Sequence, residues 1–450
     1  MKSCWREIAM RGAPFSSEEM GGLLRYCEQD VTATALLLPH LINTFEQAHA
    51  LLCGRYTLRA VSGMQYVGVP IDFLTFERIR DNWNEIRHRL IVEVDLCYRV
   101  YEDGKFKMNR FGELLNRLGI PWPRTPTGRL KVDDETFKGQ TTRYPILNEL
   151  RELRRTLATM RTIDLAVGPD ARNRTSLMPF ASRTGRNQPS NTRYIFGAAK
   201  WLRSLICPPP GSALIQLDYA QQEFLIAAAL SGDTKMLQAY QSGDHYIASA
   251  ILAGAVPPGA TKFTHPEARA AFKTAVLGLQ YGGGAETLGA RLGDAALGQK
   301  IIDDHKRVYA RYWRWSEDRV DKVGLGGELS TPFGWRIRAG NRAGEPNARS
   351  VANWPIQSAG AEILRIATVA MEEHGIRIAA PIHDAVLIEA PADEAESVAE
   401  LAERLMRESS QVVLGVPCGV DRTLIPPGSR YRDERGDGFF GKVQNILETL

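Results

Sequence analysis

The 450-residue chain is poor in cysteine and has no long run of apolar residues. Its six cysteines are scattered without a CxxC pair, so the sequence indicates neither a zinc site nor a disulfide framework. No apolar run approaches the length of a membrane span and no signal peptide is recognisable, which favours a reducing, cytoplasmic setting. The composition, 44% hydrophobic and 24% charged, argues against disorder and predicts a globular protein of two to four domains.

The chain also lacks a strong excess of charge of either sign. Lys and Arg number 56 and Asp and Glu 52, which leaves a net charge of +4. A mildly basic chain permits nucleic-acid binding without demonstrating it, so the placement of the cations matters more than their sum.

The stretch ALIQLDYAQQEFLIAAALSGD, residues 213–233, places a carboxylate at the end of an apolar strand. Residues 213–217 are short and apolar enough for a buried strand, and residues 221–230 have helical length and composition. Burying a lone carboxylate is costly unless a metal, a cation or hydrogen bonds compensate it. Asp218 is therefore a candidate metal ligand, with the alternative that it only caps the helix that follows.

A second acid follows an apolar run in RIAAPIHDAVLIEAP, residues 377–391. Two strand-like runs flank His383 and Asp384, which predicts a hairpin with this polar pair near its turn. Two acids at strand ends could meet on one sheet and share divalent ions, an arrangement that suits phosphoryl transfer.

A third stretch, residues 265–284, predicts a helix with cations on one face. Arg269, Lys273, Leu277 and Tyr281 recur every four residues. Arg and Lys can bind a triphosphate and an aromatic ring can stack on a base. The alternative is an exposed basic face with Tyr281 packed inward.

Taken together, five segments in this order resemble motifs of family A DNA polymerases, the class that includes bacterial DNA polymerase I. They are DYAQQE (218–223), RAAFKTAVLGLQYG (269–282), STPFGWRIR (330–338), RSVANWPIQSAGAEIL (349–364) and IHDAVLIEAP (382–391). The resemblance implies an α+β fold shaped like a right hand, with an antiparallel palm sheet and helical fingers and thumb. The implied segments are an exonuclease remnant (1–45), thumb (46–165), palm (166–232), fingers (233–320) and palm again (321–450).

The resemblance also implies roles for individual residues. Asp218 and Asp384 would hold two Mg²⁺ ions, for which Mn²⁺ can substitute, with help from the backbone carbonyl of Tyr219. Lys273 would protonate the leaving group, and Glu223 would act as a steric gate against a 2′-hydroxyl. The implied nucleotide contacts are Arg269, Lys273, Leu277, Tyr281, Gln221, Glu223 and Tyr219. The implied DNA contacts are Arg183, Arg186, Arg193, Arg349, Asn353, Gln357 and His383.

Residues 23–41 predict a helix with Tyr26 and Asp30 one turn apart. Before a polymerase, this pair resembles the last motif of the family's 3′–5′ proofreading exonuclease. The acidic motifs that would precede it have no room in the residues upstream, so we expect no proofreading by this chain alone. A nonfunctional remnant is favoured over a site that another chain completes.

Three other stretches have simpler interpretations. The Arg-rich helix predicted at residues 148–163 is either a solvated face or, beside a duplex, a phosphate contact, and the resemblance favours the second. The aromatic cluster at residues 309–315 is expected to pack in the core, and the three glycines at residues 282–284 form a hinge or only a turn.

Four positions depart from the family pattern. Leu277 replaces an aromatic residue, Ala385 a Glu, Leu225 an Arg and Ala220 a Ser, so a divergent branch, phage-like or from a bacterial accessory enzyme, is expected. Because both Asp218 and Asp384 are retained, activity should survive.

The expected function is template-directed DNA synthesis in replication or repair by a nucleotidyltransferase without its own proofreading. The alternatives are a gap-filling or lesion-bypass polymerase, and a catalytically silent DNA-binding subunit that a second chain completes. The expected partners are primer–template DNA and deoxynucleoside triphosphates, with a separate exonuclease chain or clamp left open. We expect a monomer without membrane contact, in a bacterial cell or a phage-infected host.

Overall fold

The computed structural model describes residues 2–43, 46–159, 165–189, 193–280, 284–285, 288–289, 294–338 and 347–450. The chain divides into two compact units, Met1–Arg55 and Tyr56–Leu450. The expected end of the first segment at residue 45 therefore lies inside the first unit. No helix in the described ranges combines the length and apolarity needed to cross a membrane.

The first unit is helical, with α1 (Lys2–Arg11), α2 (Ser17–Leu41) and α3 (Gln47–Arg55). A reciprocal capping box starts α2: the Glu19 N–H donates to Ser16 Oγ (3.1 Å) and the Ser16 N–H donates to the Glu19 carboxylate (2.9 Å). The predicted helix at residues 23–41 is confirmed, and Tyr26 and Asp30 lie one turn apart on it.

The second unit begins with a helical region. A π-helical turn at Tyr56–Val61 is followed by α4 (Ser62–Val67), α5 (Phe73–Asp81), α6 (Trp83–Tyr98), α7 (Met108–Leu118), α8 (Asp134–Arg143) and α9 (Asn148–Thr159). Two small antiparallel pairs accompany these helices, β1 (Val69–Pro70) with β4 (Arg172–Asn173) and β2 (Tyr101–Glu102) with β3 (Lys105–Phe106). The mainly helical character expected for residues 46–165 is present in the described part of that range, where short strands and connecting segments separate the helices.

A four-stranded antiparallel sheet forms the centre of the second unit. Its strands are β5 (Ser212–Tyr219), β8 (Arg377–Ile382), β9 (Ala385–Pro391) and β10 (Val420–Ile425), in the order β10-β5-β9-β8. The predicted strand at 213–217 and the predicted hairpin at 377–391 are both confirmed.

The sheet separates two hydrophobic cores because successive side chains of a strand point to opposite faces. Ile215, Leu217 and Ile388 belong to one core, whereas Leu214 and Leu387 belong to the other. A buried bidentate ion pair also joins the small β1–β4 sheet to β9, with Arg172 donating to Glu389 at 2.7 and 2.9 Å.

Helices surround the first core. They are α10 (Gln222–Ser231), α11 (Thr234–Gln241), α12 (His245–Leu252), α13 (Pro266–Gln280), α14 (Ala295–Val308), α15 (Ala310–Gly324), α16 (Ala348–Glu373) and α17 (Ala395–Leu414). A hairpin of β6 (Glu328–Ser330) and β7 (Arg336–Arg338) precedes α16, and α18 (Asp437–Glu448) packs on the second core. Tyr309 and Tyr312 are buried, which confirms core packing for the aromatic cluster.

Candidate active site

The two predicted acids meet at one end of the central sheet. Asp218, in β5, lies directly opposite Ala385 of β9, and Asp384 precedes Ala385 in the turn after β8. On the other side, Asp218 lies opposite Asp421 of β10. Directly opposite residues of antiparallel strands project to the same face. The sheet register therefore places Asp421 beside Asp218, and Asp384, in the adjacent turn, lies close enough for its charge to act on Asp218.

Asp218 does not cap the helix that follows it. The N-cap of α10 is Gln221, which adopts a left-handed conformation (φ 56°) and makes no side-chain capping bond. Asp218 is half-buried, and its Oδ1 atom is buried without a hydrogen-bond partner in the described part of the chain. An orphaned carboxylate oxygen of this kind is the group that a cation would satisfy.

The electrostatics of the carboxylates agree with that assignment. Burial, followed by the nearby Asp384 and Asp421 carboxylates, raises the pKa of Asp218 to about 7. No group of three or more His, Cys, Asp or Glu side chains able to hold a metal ion exists within the described ranges. Ions held here would need further oxygen ligands from backbone, water or substrate, as Mg²⁺ commonly has.

A cavity of about 410 Å³ adjoins the carboxylates. Tyr219, Gln221 and Glu223 line it from β5 and α10, and Arg186, His383 and Asp384 line it from neighbouring segments. An Arg186 guanidinium nitrogen lies 4.0 Å from the Glu223 carboxylate. His383 is exposed at a backbone φ of 60°, in the tight turn that joins β8 to β9.

Sequence reasoning missed the residues that support Gln221. The His245 Nδ1–H donates to Gln221 Oε1, and the His245 ring stacks on Phe224 with centroids 4.1 Å apart. Burial lowers the pKa of His245 to about 4, so the ring is neutral at pH 7. The sequence carries only a weak signal for this contact. His245 follows Asp244, which caps α12, and a lone histidine after a capping residue is common.

The cationic helix predicted at residues 265–284 is α13, and its residues lie in different settings. Arg269 forms an ion pair with Asp244 and stands over the Tyr246 ring (5.5 Å), and Tyr246 lines the cavity. Lys273 is exposed. Leu277 lies in α13 with its side chain not described, and Tyr281 and two of the three glycines at 282–284 lie outside the described residues.

The predicted DNA contacts lie on several segments, one of which is the β8–β9 turn with His383. Arg183 and Arg186 belong to a loop beside the cavity, and Arg193, farther along the chain, is exposed. Arg349, Asn353 and Gln357 all lie on α16. Arg349 and Asn353 line a separate cavity of about 520 Å³ together with Lys306 and Trp313.

The Arg-rich helix predicted at residues 148–163 is observed as α9 up to Thr159, and two of its cations have partners within the protein. Arg151 pairs with Asp134 at 3.0 Å, and Arg154 stands 4.1 Å from the Phe106 ring centroid. These two cations are therefore less available to phosphates than the family resemblance implies.

Comparison with known proteins decides the family. The family model described as "DNA polymerase family A" matches residues 108–425, more than half of the chain. The chain is a member of DNA polymerase family A.

Family A relatives include DNA polymerase I of Chloroflexus aurantiacus, 28% identical over 406 residues, which cover 82% of this chain and 42% of that protein. The DNA polymerase of Mycobacterium phage D29 is 30% identical over 249 residues, which cover 53% of this chain and 39% of that protein. The chain thus spans less than half the length of these two relatives.

A solved family A structure has a similar fold. It is the "POL domain of Pol1 from M. smegmatis complex with DNA primer-template and dNTP", with a TM-score of 0.65 at 22% identity, covering 86% of this chain and 70% of that one. The predicted family and the mixed α+β class are therefore confirmed.

One departure from the family A pattern has a structural context. Ala385, which stands where the resemblance implies Glu, lies directly opposite Asp218 and leaves that side of β5 without a carboxylate at this position. Asp421, which sequence reasoning missed, lies opposite Asp218 on the other side. Only the pairing of β10 with β5 reveals it.

Proposed function

We propose that this chain catalyses template-directed DNA synthesis, adding deoxynucleoside triphosphates to a primer 3′-hydroxyl. The observation that carries the proposal is the meeting of Asp218 and Asp384 at one end of the sheet, with an orphaned buried oxygen on Asp218. Family membership and the fold likeness support the same activity.

The metal requirement rests on the two carboxylates. Asp218 and Asp384 would hold Mg²⁺, and the backbone carbonyl of Tyr219 would add a ligand. When bound, such ions supply electrostatic stabilisation of the attacking and leaving oxygens in a phosphoryl transfer. The raised pKa of Asp218, caused first by burial and then by its acidic neighbours, supports a site that a cation completes.

The remaining roles belong to side chains around the cavity. Arg269 and Lys273 would bind the triphosphate, and Lys273, exposed on α13, would donate a proton to the leaving pyrophosphate. Glu223 lines the cavity, where its side chain would collide with the 2′-hydroxyl of a ribonucleotide. An Arg186 guanidinium nitrogen lies 4.0 Å from the Glu223 carboxylate. Gln221, fixed by His245, would contact the nucleotide at the cavity wall.

The subdomains of the polymerase can be assigned in the same way. The palm (166–232 and 321–450) would contain the four-stranded sheet with α16 and α17, the fingers (233–320) would begin with α11, and the thumb (46–165) would include α5 to α9. Arg183, Arg186, Arg193, Arg349, Asn353, Gln357 and His383 would contact DNA. Residues 1–45, within the helical Met1–Arg55 unit, would be an exonuclease remnant, so this chain alone would not proofread.

The test is extension of a primed template by the purified chain in Mg²⁺, comparing Asp384→Asn with Asp393→Asn. Asp393 is an exposed acid beyond the far end of β9, so its variant controls for the loss of one charge. We expect Asp384→Asn to abolish incorporation and to retain duplex binding, and Asp393→Asn to extend like the parent. An Asp384→Asn variant that extends normally would exclude this site, and a parent chain that binds duplex without extending would indicate a silent DNA-binding subunit.

A further inference from the structure

The loop formed by residues 182–187, called the basic loop here, carries Arg183 and Arg186 beside the cavity. It belongs to neither a helix nor a sheet, so its backbone carbonyls have no regular partners. The Ser182 and Arg186 carbonyls accept hydrogen bonds from within the loop, whereas side chains of distant segments donate to the carbonyls of Arg183 and Gly185.

Two tryptophans donate to a single carbonyl of the basic loop. Trp335 Nε1 lies 3.0 Å from the carbonyl oxygen of Arg183, and Trp354 Nε1 lies 2.8 Å from the same oxygen. A carbonyl oxygen has two lone pairs and can accept both bonds. Trp335 comes from the turn of the β6–β7 hairpin and Trp354 from α16, so two elements converge on one atom of the loop.

A buried arginine donates to a second carbonyl of the basic loop, that of Gly185. Arg365, from α16, donates through Nη2 to the carbonyl oxygen of Gly185 at 3.2 Å. Its guanidinium stands 4.8 Å from the Phe180 ring centroid, and Phe180 in turn stacks on Trp335 with centroids 5.6 Å apart. Gly185 has a φ of 74°, and a Cβ there would lie 3.1 Å from Arg365 Nη2. Glycine is therefore the residue that allows this close approach.

We propose that Trp335, Trp354 and Arg365 are positioning residues that hold the basic loop against α16. This inference rests on the proposed function, because it requires that the basic loop contacts the primer–template duplex. Since α16 also carries the predicted DNA contacts Asn353 and Gln357, the three side chains fix the spacing between two DNA-binding segments. A loop ordered before binding does not lose that conformational freedom when the duplex arrives, which strengthens binding.

The paired indoles predict a non-additive response. Either tryptophan alone can satisfy the Arg183 carbonyl, so Trp335→Phe or Trp354→Phe should weaken primer–template binding by about twofold or less. The double variant leaves that carbonyl without its two donors and should weaken binding about tenfold, more than the product of the singles. The kcat and the KM for nucleotide at saturating DNA should stay near parental values.

Two readouts separate positioning from general stability. The first is the Kd for a fluorescent primer–template by anisotropy, and the second is amide hydrogen exchange of the basic loop in the free protein. Trp201→Phe is the matched control, because the buried Trp201 also donates its indole N–H, to Thr156 Oγ1 at 3.1 Å, in the other core. It should lower stability without changing the Kd or the exchange of the loop.

A second variant covers the case in which the double tryptophan variant does not fold. Gly185→Ala keeps both tryptophans but places a Cβ 3.1 Å from Arg365 Nη2 and 3.3 Å from the Trp335 ring, and Gly211→Ala introduces the same left-handed strain where nothing lies within 4 Å. We expect faster loop exchange and weaker duplex binding from Gly185→Ala only.

The outcomes are distinguishable. The positioning role would be overturned if the double variant had the parental loop exchange and the parental Kd. If the double variant is unfolded, parental values of both in Gly185→Ala would overturn it. Faster exchange with an unchanged Kd would overturn it as well. A parent chain that binds no duplex would refute the proposed function, and the role in DNA binding would fall with it, whatever the exchange data show.

Discussion

Replacing Asp218 by Asn should stabilise the metal-free protein at neutral and alkaline pH while abolishing nucleotide incorporation. Burial and the neighbouring Asp384 and Asp421 carboxylates raise the pKa of Asp218 from 3.8 to about 7 in the folded state. Between these values the folded protein holds a proton that the unfolded chain has lost. The contribution of Asp218 to the free energy of unfolding therefore falls as the pH rises from about 4 to about 7, and it is constant above that range.

The magnitude follows from the same pKa. A pKa raised from 3.8 to about 7 corresponds to at most about 4 kcal/mol. Because Asp218 is only half-buried, solvent screening reduces this, and we expect Asp218→Asn to gain ~1–2 kcal/mol in the free energy of unfolding at pH 8. The gain should vanish below about pH 4, where the carboxyl is protonated in both states.

The assay is urea denaturation of the parent and of Asp218→Asn at pH 4 and pH 8, with EDTA and then with Mg²⁺. Mg²⁺ should stabilise the parent more than the variant at pH 8, because an ion that binds the folded state shifts the equilibrium toward it. Asp393→Asn, in an exposed turn, should match the parent throughout. A stability difference between Asp218→Asn and the parent that is the same at both pH values would refute the reasoning.

Three further predictions concern residues around the site and the core. Arg172→Met should cost ~3 kcal/mol in urea denaturation because it leaves the buried Glu389 carboxylate, among the described residues, with only the exposed Arg377, 3.7 Å away, whereas Arg336→Met, which breaks an exposed pair, should change stability by less than about 1 kcal/mol. Glu223→Ala should raise ribonucleotide incorporation in primer extension, and unchanged sugar selectivity would place the gate elsewhere. Gly436→Ala should lower stability by ~1–3 kcal/mol, because its Cβ would lie 2.5 Å from a backbone nitrogen, while Gly438→Ala, with nothing within 4 Å, should not.

Sequence reasoning located most of the elements that carry the site. Apolar strand runs that end in acids are visible in residues 213–218 and 377–384, and both fall on strands of the central sheet. The helix with Arg269 and Lys273 four residues apart is equally visible and corresponds to α13. Local composition and periodicity suffice for such features because each depends on neighbours in the chain.

Other parts of the site depend on side chains that the chain brings together only when folded. The partner of Arg269 is Asp244, which caps a different helix, and nothing in either stretch predicts that pair. The bond between His245 and Gln221 likewise joins the start of α12 to the start of α10. Arg151 and Arg154 illustrate the reverse case, since the family resemblance favoured a phosphate contact for their helix and the folded chain gives both of them partners within the protein.

The sequence by itself determined the family, the identity of the two acids and the helix that carries the cations, because motif order and spacing are properties of the linear chain. Only the tertiary structure decided that Asp421 stands beside Asp218 and that two tryptophans donate to one carbonyl of the basic loop. The physical reason is that strand register and side-chain hydrogen bonds connect residues more than a hundred positions apart, and each such contact depends on the packing of the whole unit.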